Sequence, residues 1–258
     1  MSAARSARVV AVTSGKGGVG KTFLAANLAA ALAARGERVL VLDADLGLAN
    51  LAVALGLHPE TTLHGVFAGK RRLEDAIVPA PGGFSVLLAG SGLVEYARLT
   101  PKLREQLLAV IEDVRPRFDR VLLDTGAGVS DVVLYTVSLA DDALVVATPE
   151  PTSLTDAYAA IKVLATEQRR RTILLAANQT SLRGEGNSIR NQLQTVTGRY
   201  VKTASGAPLA LEYLGEVRSD PSVRQAAQKR RLLLEAYPGS GAAQAVVAIA
   251  GRLSAVRA

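Results

Sequence analysis

Short runs of consecutive apolar residues alternate along this chain with longer stretches whose apolar positions recur every three or four residues. Arg8–Thr13 (RVVAVT), Arg38–Asp43 (RVLVLD), Phe84–Ala89, Arg120–Asp124, Ala143–Thr148 and Thr172–Ala177 are of the first kind. Continuous β-branched and aliphatic runs predict strands buried on both faces. Leu209–Val217 is a weaker example. The second kind predicts a helix over Lys21–Arg35, with Leu24, Leu28, Ala31 and Leu32 on one face and Gly36 as its C-cap. Further helices are predicted over Lys102–Arg115, Ser130–Ser138, Ser153–Arg169, Ser188–Thr197, Pro221–Arg231 and Gly241–Ala255. Strand and helix in alternation imply an α/β fold with a mostly parallel central sheet and helices on both faces. No Pro/Ser-rich linker and no repeat interrupts the pattern. The 258 residues are therefore expected to form a single domain, with residues 1–7 disordered ahead of the first strand.

Composition narrows the chemistry. There is no cysteine and there are two histidines, His58 and His64. That excludes thiol catalysis, disulfides, Cys-ligated zinc or iron–sulfur clusters, and multi-His metal sites. Aromatics at 4% without tryptophan argue against base-stacking platforms for nucleic acid. The net charge of +7 is concentrated between Lys162 and Arg231, where 13 Lys/Arg face 5 Asp/Glu. Such a basic half is either a solvated surface or one that meets DNA, anionic lipid or an acidic partner. No signal peptide and no long apolar span is evident, so a cytoplasmic protein is expected.

The strongest chemical signal is Ser14–Thr22, SGKGGVGKT, which contains G-x-x-x-x-G-K-[ST] between a predicted strand and a predicted helix. Gly15, Lys16, Gly17, Gly18, Val19, Gly20, Lys21 and Thr22 are thus nucleotide-binding candidates in a P-loop NTPase. Glycines let successive backbone N–H groups turn onto a phosphate, and the helix N-terminus adds its positive dipole end. Lys21 would reach the β- and γ-phosphates, and the Thr22 hydroxyl would ligand Mg²⁺. Arg120–Asp124 is apolar and ends in an acid, the pattern that holds Mg²⁺ through water. Asp43 and Asp45, two apart at the end of a strand, project the same way at the edge where α/β sheets bind ligands.

GKGGVGKT resembles the deviant Walker A motif of the MinD/ParA class of ATPases. The resemblance implies that Lys16 reaches across a dimer to the phosphates of the partner's ATP. DADLGLAN at 43–50 resembles that class's switch I, which implies that Asp45 orients or deprotonates the attacking water and Asp43 supports the Mg²⁺ shell. TGAG after Asp124 resembles switch II, with Gly126 and Gly128 approaching the γ-phosphate. Asn178 resembles the adenine-reading Asn, and Gly215–Pro221 lies where related proteins wrap adenine with backbone. Catalysis would then fall to Asp45, Lys16 and Lys21, with Thr22, Asp43 and Asp124 at the metal.

The segments at 43–57, 122–134, 147–164 and 234–240 are similar to the FlhG (FleN/YlxH) family, MinD-like ATPases that set flagellar number and placement. This similarity implies a slow, dimerising ATP switch with Mg²⁺ and ATP/ADP as cofactors. Its implied partners are an FlhF-like GTPase, flagellar C-ring proteins or a flagellar transcriptional activator. MSAARSA at the start lacks the activator motif of many FlhG proteins, so stimulation of a GTPase through such a segment is not expected. The terminal helix has Val246, Ile249, Leu253 and Val256 on one face. Core packing is its expected role, and weak membrane contact the alternative. DNA partition or division-site positioning of the ParA/MinD type is the competing function. Iron–sulfur carriers on this scaffold need cysteines, and a tyrosine-kinase relative would need a tyrosine cluster after Tyr237; neither is present.

Overall fold

A computed structural model describes residues 6–47, 50–90, 96, 98–202 and 206–256. Its strands are β1 (Arg8–Ser14), β2 (Val39–Ala44), β3 (Ile77–Pro79), β4 (Ser85–Leu87), β5 (Arg120–Ala127), β6 (Asp142–Ala147), β7 (Thr172–Thr180) and β8 (Ala210–Arg218). They form one sheet in the order β3-β4-β2-β5-β1-β6-β7-β8. Every pairing is parallel except β3 with β4. The helices are α1 (Lys21–Ala33), α2 (Asn50–Leu55), α3 (Leu63–Phe67), α4 (Leu73–Ala76), α5 (Pro101–Val114), α6 (Asp131–Ser138), α7 (Pro151–Thr166), α8 (Glu185–Tyr200), α9 (Pro221–Gln228), α10 (Leu233–Ala236) and α11 (Gly241–Ala255).

The continuous apolar runs are strands covered on both faces. Val9 and Ala11 of β1 face one core with α5 to α8, while Val10 and Val12 face the other with α1 and α11. Alternate residues of one strand therefore enter two separate hydrophobic layers. Helix α1 is apolar nearly all round because it is enclosed: sheet below, α11 along one side, α2 and α10 on the rest. Its alanines let α11 approach closely.

Helix α11 buries Ala242, Ala243, Val246, Ile249, Ala250 and Leu253 against that layer, as core packing of the terminal helix requires. Arg120 adds a polar tie at the N-terminal ends of the strands. Its Nε donates to Glu37 Oε2 at 2.9 Å and its Nη1 to the Leu253 carbonyl at 3.4 Å, while Ser254 donates to Glu37 Oε1. Among the described residues no helix is long and apolar enough to cross a membrane.

Two sequence expectations change. β3 and the short helices α2, α3, α4 and α10 carried too few residues for periodicity to show. β5 continues three residues past Asp124, because a bulge in β5 after Asp124 lets pairing resume at Ser14↔Ala127; Thr125, Gly126 and Ala127 end a strand instead of opening a loop. The basic segment is a surface, since every Lys and Arg between Lys162 and Arg231 is exposed except Arg170. Arg170 is partly buried and donates to the Val137, Ala140 and Asp141 carbonyls, closing the end of α6.

Candidate functional site

Parallel strands with the central β1 flanked by β5 and β6 bring their C-terminal ends to one edge, and the candidate residues gather there. A cleft of about 680 Å³ is lined by Gly17, Gly18, Gly20, Lys21, Thr22, Asp45 and Gly126, among others. The loop Gly15–Gly20 leads from β1 into α1, whose N-cap Gly20 has φ 94° and supplies no side-chain cap. The first N–H groups of α1 are thus left for a ligand. A Cβ at Gly20 would lie 2.3 Å from Asn178 Nδ2, so any side chain there must displace the Asn178 amide. At Gly15 a Cβ would lie 2.0 Å from the Asp156 carbonyl oxygen, so α7 packs directly on the loop.

Asp43, Asp45 and Asp124 gather at one end of the sheet, the latter two within reach of the Lys21 charge. Strand register sets Asp43 of β2 beside Asp124 of β5. Both are buried, at 0% and 1% exposure, and Asp43 Oδ2 and Asp124 Oδ1 have no hydrogen-bond partner. Burial, then the neighbouring Asp124 and Asp45 charges, pushes the Asp43 carboxyl well above the usual carboxylate range. Burial raises Asp124 to about 7, against the opposing pull of the Thr22 hydroxyl and Lys21. Lys21 is lowered by its own burial, which Asp124 and Asp45 counteract. Asp45 is half-buried on the cleft wall beside Gly126, its carboxyl raised by burial and held back by Lys21.

Two orphaned buried carboxylate oxygens and the Thr22 hydroxyl are what a hard divalent cation needs when phosphate and water complete its shell. The donor set therefore fits Mg²⁺.

Gly126 sits within reach of Asp45, where a Cβ would lie 3.6 Å from its Oδ1, and Gly128 turns with φ 88° while its N–H donates to the Ser14 carbonyl. Lys16 is not in the cleft of its own chain. Its Nζ donates to Glu150 Oε2 at 2.7 Å and to Thr152 Oγ1 at 2.8 Å, at the start of α7. Asn178 is buried below the loop and its Nδ2 donates to the Val19 carbonyl at 2.8 Å. Leu48 and Ala49 of the switch I segment lie outside the described residues. Glu150, Thr152 and Gln179 were not singled out by the sequence; the first two sit in the distinctive TPEPTS segment, the only signal that could have pointed to them.

A family model, ParA, described as "NUBPL iron-transfer P-loop NTPase", matches residues 5–254. The chain belongs to the ParA family. This ParA-family chain is 42% identical to the antiactivator FleN of Pseudomonas aeruginosa over 95% of its own length and 86% of FleN. It is 31% identical to the flagellum site-determining protein YlxH of Helicobacter pylori, over 95% of this chain and 81% of YlxH. Among solved structures, the septum site-determining protein MinD of Pyrococcus horikoshii, complexed with Mg-ADP, superposes with a TM-score of 0.78 at 28% identity, over 96% of each chain. Within the ParA family the chain is thus of the FleN/YlxH type. The iron transfer in the family description finds no cysteine here to hold a cluster.

Proposed function

We propose that this ParA-family chain is an ATP-dependent molecular switch that hydrolyses ATP slowly and regulates flagellar number and placement. The observation that carries the ATPase reading is the convergence of Lys21, Thr22, Asp43, Asp45 and Asp124 under an uncapped helix N-terminus. Loop N–H groups and Lys21 would bind the β- and γ-phosphates. Mg²⁺, when bound, neutralises charge developing on the transferred phosphoryl group. Thr22, Asp43 and Asp124 would hold it. Asp45, on the wall facing the γ-phosphate position, would orient the attacking water and accept its proton. Its raised carboxyl is a better base for that task than an ordinary aspartate.

Lys16 supports the switch. A cation held outside its own cleft leaves that cleft short of one charge, which a second copy would supply in the ATP-sandwich dimer. Hydrolysis then waits for assembly, and turnover is slow in the monomer. Asn178 donates its amide N–H to Val19, which leaves its Oδ1 as the acceptor for a base. An acceptor suits the 6-amino group of adenine and repels the 6-oxo group of guanine. The flagellar role rests on the FleN and YlxH relationship. An FlhF-like GTPase, C-ring proteins or a flagellar transcriptional activator are the partners to which it extends.

Two measurements test this reading. ATP turnover and dimer mass by light scattering are followed in wild type, Asp45→Ala and Lys16→Ala. Asp45→Ala is expected to dimerise with ATP and not hydrolyse it, and Lys16→Ala to bind ATP but remain monomeric. A Lys16→Ala variant that dimerises and hydrolyses normally overturns the switch. Flagella are then counted in a Pseudomonas aeruginosa strain lacking FleN and supplied with this chain. Restored number supports the flagellar role, and an unchanged excess removes it.

A further inference from the structure

The end of β7 carries a β-bulge. Asn178 pairs with Val217 and Thr180 with Arg218, so Gln179 is an extra residue on its strand. Its φ is 57°, a left-handed backbone that glutamine rarely adopts. Neighbours in a regular strand point to opposite faces. Here the bulge turns both side chains onto one loop: Asn178 Nδ2 donates to the Val19 carbonyl at 2.8 Å, and Gln179 Nε2 to the Gly18 carbonyl at 3.1 Å. In a trans peptide the C=O of one residue and the N–H of the next point in opposite directions. Holding the Gly18 and Val19 carbonyls from the β7 side therefore aims the N–H groups of Val19 and Gly20 the other way. The Gly18–Gly20 segment, with φ 78° and 94° at its two glycines, has little stiffness of its own.

We infer that Gln179 is a positioning residue for nucleotide binding, its bulged backbone serving to set an amide donor against Gly18 and so pre-aim the phosphate loop. This role rests on the reading of the cleft as a nucleotide site. The loop's donors are then fixed before the ligand arrives, and ordering them costs nothing at binding. Asn178 alone holds only one of the two peptides.

Gln179→Gly separates side chain from backbone, because glycine accepts the left-handed φ without penalty but donates nothing. Gln179→Asn also tolerates that φ and is one methylene too short to reach. Mg·ADP binding is measured by calorimetry, melting by fluorescence, and ATP kinetics at steady state. Both variants are expected to melt at or above the wild-type temperature. Both should bind Mg·ADP roughly fivefold more weakly, the loss of about one hydrogen bond. KM for ATP should rise by the same factor while kcat holds within about twofold. Variants that bind as tightly as wild type overturn the role of Gln179 alone. So does weaker binding that tracks a lower melting temperature, which marks a general structural effect. A wild-type chain that does not bind Mg·ADP overturns the nucleotide reading together with it.

Discussion

Lys21 is 9% exposed, and its charge is held up by Asp124 and Asp45 against the cost of burial. Removing it leaves those acids facing one another, so Lys21→Ala should lose nucleotide binding and also shift the protein's own stability. Lys16 differs. It makes an exposed pair with Glu150, and such pairs contribute about 0–1 kcal/mol. Lys16→Ala should therefore unfold in urea within about 1 kcal/mol of wild type, while the dimer is lost. Gly20→Ala must place a methyl group against Asn178 in a left-handed conformation, and is expected to cost about 1–3 kcal/mol. Urea unfolding reads it, and Mg·ADP binding should fall further than Gln179→Gly causes. Much of this was legible in the sequence. Ser14–Thr22 fixes its own geometry, because a strand, a glycine turn and a helix in succession leave one place for a phosphate. Asp45 and Asp124 were legible as acids at strand ends. The inward-facing bonds of Asn178 and Gln179 to the loop were not, because a bulge depends on the register of β7 against β8 and leaves no periodic trace.

At the scale of elements, the helices that sequence periodicity marks are those with a clear apolar face, such as α5, whose Leu103, Leu107, Val110, Ile111 and Val114 are buried. The short α2, α3, α4 and α10 are set by tertiary contact instead, and their residues look like loop. Capping explains where α9 begins. Asp220 accepts from the Ser222 N–H at 2.9 Å and also from Ala242 N–H of α11, so one carboxylate holds two helix starts. Those bonds, the Ser222 hydroxyl first, hold its carboxyl below the usual range. Its contribution is complete above the ordinary carboxylate pKa and is lost as pH falls through the depressed one. Asp220→Ala should cost about 1 kcal/mol at neutral pH, and the difference from wild type should shrink in acid. Chemical denaturation at pH 7 and at pH 3.5 measures both. Arg120 is the stronger tie for α11. Removing its guanidinium strands Glu37 in a largely buried place, and Arg120→Ala should cost about 3 kcal/mol. Urea unfolding checks it, and a change below about 0.5 kcal/mol would show that water replaces the arginine.

For the whole molecule, one sheet with the C-terminal ends of its parallel strands at one edge explains why residues as distant in sequence as Lys21 and Asp124 lie together. Loading that edge should stabilise everything beneath it. At 100 times the dissociation constant, a ligand that binds only the folded state adds about 2.7 kcal/mol. Mg·ADP should raise the melting temperature accordingly, and chelating the metal should remove most of the gain, since the paired acids Asp43 and Asp124 then face the phosphates unscreened.

The placement of β1 also bears on how the molecule is made. β1 occupies an interior position, and its partners β5 and β6, later in the chain, begin only at Arg120 and Asp142. Until more than a hundred residues of chain have followed, VVAVT has two unpaired edges, and α1 alone covers one of its faces. Translation thus delivers a sticky ribbon well ahead of the strands that shield its edges, and edge pairing is the hazard of the nascent chain until β6 is out.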